Sequence, residues 1–201
     1  MKSEGTIQSS IYGDKLPELQ KVCDDLSAYI SEVRAEIEAK TGMDPVEHYL
    51  SRIKSEESMR EKCVRKGLPQ NEHSALEVIK DAVGVRIVCA FIDDVYDIAE
   101  HLRNSGKYEF TEEKDYIKHS KPNGYRSYHI ILKTPENYYA EIQLRTISMD
   151  TWAALEHHLK YKKEIGKNKE LIVQELKRCA DELASTDLSM QTIRDMILGE
   201  C

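Results

Sequence analysis

The chain has 201 residues, of which 40% are hydrophobic and 32% are charged, a composition typical of a globular domain. Its net charge of −7 argues against a general polyanion-binding protein, and no apolar run reaches the roughly 20 residues that a membrane span needs. The first residues lack the apolar segment of a secretory signal and the five cysteines form no Cys-x-x-Cys pair, so we expect a cytoplasmic protein with reduced thiols.

Helical patterns dominate the first eighty residues. Gly42 is placed to end a long amphipathic helix, while Ser55 is placed to cap a second helix and Gly67 to end it. The predicted helices cover residues 15–41, about 55–66 and about 74–80. Residues 1–14 are a candidate mobile connection.

The middle of the chain changes to strand patterns. Residues 84–91 are β-rich and apolar on one side, as expected of an interior strand, and residues 93–104 follow a helical period. Three more strands are predicted at residues 108–117, 127–134 and 138–146, the last two joined by a tight turn at 135–137. Four strands are therefore predicted.

Helical spacing returns after Thr146, with Trp152 on the apolar stripe, and a final helix is predicted over residues 169–198. The lysine-rich residues 160–169 are a second candidate mobile connection. These elements predict an α+β fold in one domain spanning residues 1–201, with a mixed, mostly antiparallel sheet flanked by helices and long helices at both termini.

Strand periodicity marks one candidate catalytic face. Along residues 139–145 every second side chain is polar, which places Glu141 opposite the core-facing side, and Asp81 stands just before the predicted interior strand. Two acids at strand ends that face one cleft can hold Mg²⁺ and accept a proton. The alternative is an ordinary half-buried strand whose outer face is solvated.

A second candidate site surrounds Tyr125, which directly follows an Asn123-Gly124 turn. Cations lie close to it in the sequence: Lys114, Lys121, Arg126 and His129. An exposed tyrosine ring beside a loop can stack on a purine, and such stacking contributes about 1–3 kcal/mol per base. The alternative is a polar loop that enters a strand.

Basic and histidine residues need separate interpretations. Arg52, Lys54, Ser58 and Lys62 are spaced so that one helical face would offer several donors to a polyphosphate, although a solvated basic helix is the simpler reading. The adjacent His157-His158 pair points about 100° apart on a helix, so we interpret it as structural or surface rather than metal-binding. There is no P-loop and no Gly-x-Gly-x-x-Gly motif.

Five ordered motifs together resemble the synthetase domain of the RelA/SpoT family over about residues 45–165. They are Arg52-x-Lys54, Asp81-x-x-Gly84-x-Arg86, Lys114-Asp115-Tyr116-Ile117, Lys121-Pro122-Asn123-Gly124-Tyr125-Arg126-Ser127-x-His129 and Glu141-Ile142-Gln143-x-Arg145-Thr146. The short chain resembles a stand-alone small alarmone synthetase. The resemblance implies a five-stranded sheet of the nucleotidyltransferase kind, with the fifth strand still to be placed, and synthesis of (p)ppGpp without hydrolysis.

The resemblance also implies the reaction and its residues. The β,γ-pyrophosphoryl group of ATP passes to the ribose 3′-hydroxyl of GDP or GTP, Asp81 binds magnesium (Mg²⁺), and Glu141 helps with the metal or deprotonates the hydroxyl. The implied ATP contacts are Arg52, Lys54, Ser58, Lys62 and Arg86. The implied GTP or GDP contacts are Lys114, Lys121, Asn123, Tyr125, His129, Gln143 and Arg145, with Tyr125 stacked on guanine.

Small members of the family imply a ring-like homotetramer built through the terminal helices, with control by (p)ppGpp or single-stranded RNA in some of them. Two other functions are compatible with the residues. One is a catalytically silent nucleotide- or RNA-binding regulator that keeps the fold. The other is a related nucleotidyltransferase that releases pyrophosphate, which the missing paired-acid Gly-Ser signature disfavours.

Overall fold

The structure is a computed structural model that describes residues 9–160 and 168–199. Within these ranges the chain forms five α-helices, one π-helical turn and one five-stranded sheet. In chain order the elements are α1 (Leu16–Thr41), β1 (Val46–Ile53), α2 (Glu56–Lys66), the π-helical turn (Ser74–Val78), β2 (Val83–Cys89), α3 (Ile92–Asn104), β3 (Glu109–Asp115), β4 (Tyr128–Lys133), β5 (Tyr139–Thr146), α4 (Ile147–Lys160) and α5 (Lys169–Leu198).

The sheet has the strand order β1-β2-β5-β4-β3. Only the β2–β5 pair is parallel, so the prediction of a mixed, mostly antiparallel sheet is confirmed. β1 is the strand that the sequence pattern did not place. It lies at the sheet edge and pairs only with β2, and most of its residues are partly or fully exposed, which explains its weak apolar signal.

The core lies on one face of the sheet. α1 and α3 pack there through apolar stripes that include Leu26, Ile30 and Ile98, and the inward residues of β5 are Ala140, Ile142 and Leu144. The other face of the same strands is polar. This division follows from the two-residue period of a strand and leaves Gly84, Arg86, Glu141 and Gln143 on a polar, partly accessible part of the sheet, while α4 covers Arg145 at its end.

The helix ends agree with the sequence signals. Ser55 Oγ accepts a hydrogen bond from the Ser58 amide at the start of α2, and Gly42 and Gly67 adopt left-handed conformations that end α1 and α2. The helix predicted over residues 74–80 is a π-helical turn that ends at Val78. No helix in the described part of the chain is both long enough and apolar enough to cross a membrane.

The prediction of a mobile connection at the N-terminus is wrong for residues 9–14. Ile11 and Tyr12 are each only 1% exposed, and the Tyr12 hydroxyl donates a hydrogen bond to the main-chain oxygen of Lys54 at 2.7 Å. Burial of these two large side chains fixes the segment to the fold. Residues 1–8 and 161–167, which complete the two predicted connections, lie outside the described residues.

Candidate active site

Two rows of paired residues cross the polar face of the sheet. The long row joins Arg86 on β2, Gln143 on β5, His129 on β4 and Lys114 on β3. The short row joins Arg52 on β1, Gly84 on β2 and Glu141 on β5. Paired residues project to the same side of a sheet. The register therefore brings together residues from the predicted donor and acceptor motifs that are up to 91 positions apart, from Arg52 to Gln143.

A cleft of about 160 Å³ opens above the β1–β2–β5 part of this face. It is lined by Leu50, Arg52, Lys54, Asp81, Gly84, Val85, Arg86, Glu141 and Gln143. Six of these residues were predicted to contact substrate or metal. The cleft is therefore lined by most of the predicted ATP contacts and by both candidate acids.

Asp81 is the buried centre of the cleft, with 7% of its surface exposed. Its Oδ2 accepts hydrogen bonds from the ammonium groups of both Lys54 and Lys62, the latter at 2.5 Å. Its Oδ1 is buried and has no hydrogen-bond partner among the described residues. Two cations share one carboxylate, so this cluster carries a net positive charge that favours a polyphosphate.

The predicted single helical face for the ATP residues is wrong. Ser55 caps α2, so the helix starts at Glu56 and excludes Arg52 and Lys54. Arg52 is on β1 and Lys54 follows that strand, whereas Lys62 reaches the same carboxylate from α2. Ser58 is exposed in the first turn of α2, where its Oγ accepts a hydrogen bond from Ser55 at 2.9 Å, and it does not line the cleft.

Glu141 is held from both sides of its carboxylate. Gln143 Nε2 donates to Oε2 at 2.7 Å, and His129 Nδ1 lies 3.1 Å from Oε1. Burial alone would raise the pKa of Glu141, but the hydrogen bond and charge of His129, with help from Gln143 and Lys62, lower it to about 2. Glu141 is therefore ionised throughout the neutral range and can accept a hydrogen bond from a hydroxyl.

Tyr125 is half-buried, not the exposed ring that the sequence suggested. Its hydroxyl lies 2.8 Å from His129 Nε2 and accepts a hydrogen bond from Arg145 at 3.1 Å. Its ring makes edge contacts with Tyr116 and Trp152. The side chain is packed because the helices after β5 cover the loop, a long-range contact that local sequence does not show.

Arg145 connects the acceptor residues to α4. It is 3% exposed and donates to Gln143 Oε1 at 2.5 Å and to Asp150 Oδ1 at 3.2 Å. The guanidinium of Arg86 lies 3.4 Å from the same Asp150 oxygen. Asp150, which the sequence analysis did not identify, therefore binds two cations of the site. Its spacing of five residues from Arg145 was the available signal.

The remaining predicted acceptor contacts, Lys114, Lys121 and Asn123, lie outside the lining of the cleft. The Lys114 ammonium lies 3.2 Å from Glu112 on the edge strand β3, and that of Lys121 lies 4.8 Å from the Tyr125 ring centre. Asn123 Nδ2 donates to Glu156 at 3.0 Å, so its amide faces α4 in this structure. Lys114 and Lys121 are both exposed, whereas Asn123 is half-buried.

The loop at residues 121–127 is seated on α5. Gly124 has φ +91°, and a Cβ atom there would lie 2.5 Å from the Ala180 Cβ. Arg126 donates to the main-chain oxygen of Gly124 at 3.1 Å and to Asp181 on α5 at 2.7 Å. The C-terminal helix thus supports the loop that carries Tyr125, a role that neither Ala180 nor Asp181 signals in the sequence.

The donor set fits a hard cation. Asp81 offers a buried, unpaired carboxylate oxygen, and Glu141 lines the same cleft. Mg²⁺ in nucleotide sites usually takes one or two carboxylates and completes its shell with phosphate oxygens and water. Among the described residues no group of three or more Asp, Glu, His or Cys side chains is arranged to hold a metal. Asp81 and Glu141 are thus compatible with an ion shared with a nucleotide.

Comparison with known proteins agrees with these motifs. A family model described as a region found in RelA / SpoT proteins matches residues 51–166. The chain is 40% identical over 178 residues to the GTP pyrophosphokinase YwaC of Bacillus subtilis, which covers 85% of this chain and 84% of that protein. The chain belongs to the RelA/SpoT family. A second B. subtilis relative, the GTP pyrophosphokinase YjbM, is 31% identical over 182 residues, which covers 87% of this chain and 84% of the relative.

Solved RelA/SpoT structures confirm the fold class. Small alarmone synthetase 1 of B. subtilis, bound to its product pppGpp, has a TM-score of 0.79 at 30% identity, and the match covers 92% of this chain and 96% of that one. Small alarmone synthetase 2 of B. subtilis also has a TM-score of 0.79, at 37% identity, with 91% and 97% covered. The five-stranded sheet and both long terminal helices lie within these matches.

Proposed function

We propose that this RelA/SpoT protein transfers the β,γ-pyrophosphoryl group of ATP to the ribose 3′-hydroxyl of GDP or GTP, giving ppGpp or pppGpp and AMP. The relatives support this reaction, since two of them are named GTP pyrophosphokinases and one structure holds pppGpp. The observation that carries the proposal is Glu141, which lines the Asp81 cleft and is linked through His129 to Tyr125.

The donor ATP occupies the cleft in this proposal. Arg52 lies at its rim and packs on adenine, while Lys54, Lys62 and Arg86 neutralise the phosphate oxygens. Ser58 contributes from the exposed first turn of α2. When ATP enters, the two ammonium groups that now share Asp81 redistribute their hydrogen bonds toward phosphate, and Asp81 becomes available to a cation.

Mg²⁺ is the cofactor in the proposal, with Asp81 and Glu141 as its protein ligands. When bound, it neutralises charge on the phosphates of ATP and on the departing oxygen. The chain's own part is to hold Asp81 beneath Lys54 and Lys62, so that the carboxylate stays in place while the phosphates arrive.

The acceptor nucleotide lies over β4 and β5. Guanine takes the place of the Lys121 ammonium over the Tyr125 ring, and Lys121 and Lys114 then reach the acceptor phosphates. Asn123 and His129 border the sugar and phosphates, while Gln143 and Arg145 support the site from β5. The 3′-hydroxyl thereby meets Glu141.

Bond changes in the transfer balance without a further reactant. The 3′-oxygen forms a bond to the β-phosphorus of ATP, the bond from that phosphorus to the α,β-bridging oxygen breaks, and AMP leaves with this oxygen. Glu141 takes the hydroxyl proton. Because the pKa of Glu141 is held at about 2, it is a weak base that aligns the hydroxyl first and accepts the proton as the new bond makes the hydroxyl acidic.

Assembly and control form a further part of the proposal. The apolar stripe of α1 packs within its own core, whereas α5 exposes large apolar side chains that include Leu188, Met196 and Ile197. An uncovered apolar helix face favours association, and we propose a cytoplasmic homotetramer that is built mainly through α5. We propose (p)ppGpp and single-stranded RNA as effectors to test. Sedimentation that shows only a monomer at micromolar concentration would contradict the assembly.

The decisive experiment is incubation of the purified protein with Mg²⁺, ATP labelled at the γ-phosphate, and GDP or GTP. Label in a guanine nucleotide with stoichiometric AMP supports pyrophosphoryl transfer. Free pyrophosphate as product favours the nucleotidyltransferase alternative, and binding of both nucleotides without transfer favours the silent regulator. Incubation with unlabelled ppGpp tests the absence of hydrolysis, since release of GDP would contradict it.

A further inference from the structure

Residues 9–12 form a short segment, here named the N-terminal strap, that crosses the start of α2. Ser10 Oγ donates to Glu56 Oε1 at 2.7 Å, and the Ile11 amide donates to Glu56 Oε2 at 3.2 Å. Arg60 donates to the main-chain oxygen of Ser9 at 2.6 Å. With Ile11 and Tyr12 buried, the N-terminal strap is anchored by both polar and apolar contacts.

The strap ends on the main chain of Lys54. The Tyr12 hydroxyl donates to the Lys54 carbonyl at 2.7 Å, while the Lys54 amide donates to the Ala82 carbonyl at 2.8 Å. Both main-chain polar groups of Lys54 are therefore hydrogen-bonded, the carbonyl to Tyr12 of the strap and the amide to Ala82, the residue after Asp81. These two bonds fix where the Lys54 side chain begins.

The position of Lys54 matters because its ammonium binds Asp81 in the cleft. Lys54 lies between the end of β1 and the start of α2 and is in neither element, so regular hydrogen bonding does not hold it on both sides. Without the Tyr12 hydroxyl, its carbonyl would lose a partner in a part-buried setting, which disfavours the present conformation. A displacement of about 1 Å at such a group can cost about 100-fold in rate.

We propose that Tyr12 is a positioning residue for the donor nucleotide, acting through Lys54 from a segment outside the RelA/SpoT match at residues 51–166. This inference rests on the proposed function. Tyr12 itself does not line the cleft and acts through Lys54, which does, so its effect falls on ATP and not on the acceptor. ATP binding in the cleft thus depends on the N-terminal strap, whose residues precede α1.

The test replaces Tyr12 with phenylalanine, which keeps the ring and removes only the hydroxyl. We expect the KM for ATP, and the Kd of a non-hydrolysable ATP analogue, to rise about tenfold, the equivalent of 1.4 kcal/mol, while the KM for GDP stays within twofold. Tyr29→Phe is the matched control, because Tyr29 is buried on α1 and its hydroxyl has no hydrogen-bond partner among the described residues. Ser10→Ala, which loosens the strap but keeps Tyr12, should show a smaller rise.

The outcomes separate the inference from the proposed function. Equal rises in both KM values, or a loss of thermal stability with unchanged ATP affinity, would overturn the positioning role. If the wild-type protein binds the analogue but transfers nothing, the proposed reaction fails, and the analogue Kd of Tyr12→Phe still decides the inference. If Tyr12→Phe does not fold, Ser10→Ala decides it, and an unchanged Kd there overturns the inference. A wild-type protein that binds no analogue overturns both.

Discussion

Substitution of Gly124 measures how firmly α5 holds the loop at residues 121–127. A Cβ atom at this position would lie 2.5 Å from the Ala180 Cβ and 3.0 Å from the Lys177 Cα. Gly124 also has φ +91°, where a side chain is strained whatever the space. Gly124→Ala therefore adds two separate penalties, one conformational and one steric.

The two penalties can be estimated separately. A left-handed conformation costs a non-glycine residue about 1–2 kcal/mol, and overpacking typically costs about 1–3 kcal/mol. We expect Gly124→Ala to lower the free energy of unfolding by about 2–5 kcal/mol. Gly42→Ala is the matched control, since Gly42 has φ +74° with no atom within 4 Å of an added Cβ, so only the conformational penalty applies.

A double-mutant cycle isolates the steric part. Ala180→Gly removes the Cβ atom that an added Gly124 side chain would meet at 2.5 Å. By itself it costs about 1 kcal/mol of helix propensity. The loss of unfolding free energy in the double variant Gly124→Ala/Ala180→Gly should be smaller than the sum of the losses in the two single variants, by about 1–3 kcal/mol. Urea unfolding gives these energies, and the KM for GDP should rise in Gly124→Ala as Tyr125 moves. A cycle without coupling, with Gly124→Ala no worse than Gly42→Ala, would refute a rigid contact.

Other variants and pH test the site itself. Glu141→Gln should abolish pyrophosphoryl transfer while ATP binding, measured by calorimetry, stays largely intact; retained turnover would remove Glu141 as the base. The stability that ionised Glu141 contributes should be complete above its unfolded pKa near 4.5 and lost as pH falls toward 2, so unfolding of wild type and Glu141→Gln should converge over that window. Tyr125→Ala should chiefly raise the KM for GDP or GTP, by the equivalent of about 1–3 kcal/mol, and an equal loss of ATP affinity would contradict the two-site assignment. Gly84→Ala should stabilise β2 by about 0.5–1 kcal/mol, because an added Cβ meets no atom within 4 Å, yet raise the KM for ATP by entering the cleft; a destabilised variant would argue against this open cleft floor.

Local patterns were sufficient for most elements of the fold. Caps such as Ser55 and stops such as Gly67 act within one helical turn, and the alternation along β5 directly separates core residues from Glu141. β1 was not placed because an edge strand needs few apolar residues. The two-residue spacing of Arg52 and Lys54 is typical of a strand, whereas only the four-residue spacing of Ser58 and Lys62 is helical.

Features of the site that depend on distant contacts were not available from the sequence. The packing of Tyr125 depends on α4, and the seat of Gly124 depends on α5, more than fifty residues later. The link from Tyr12 to Lys54 spans 42 residues and involves a carbonyl group, which every residue has. Because a main-chain carbonyl partner is not marked by any residue type, this hydrogen bond is visible only in the folded chain.

The long row from Arg86 to Lys114 has a consequence for how substrate preference can change. Three strand spacings of about 4.8 Å separate its ends, so the row spans roughly 14 Å. Main-chain hydrogen bonds, and not side chains, set this separation. In the proposed reaction, substitutions outside these four strands can therefore alter which nucleotide is accepted, while the strand residues that face donor and acceptor keep their separation.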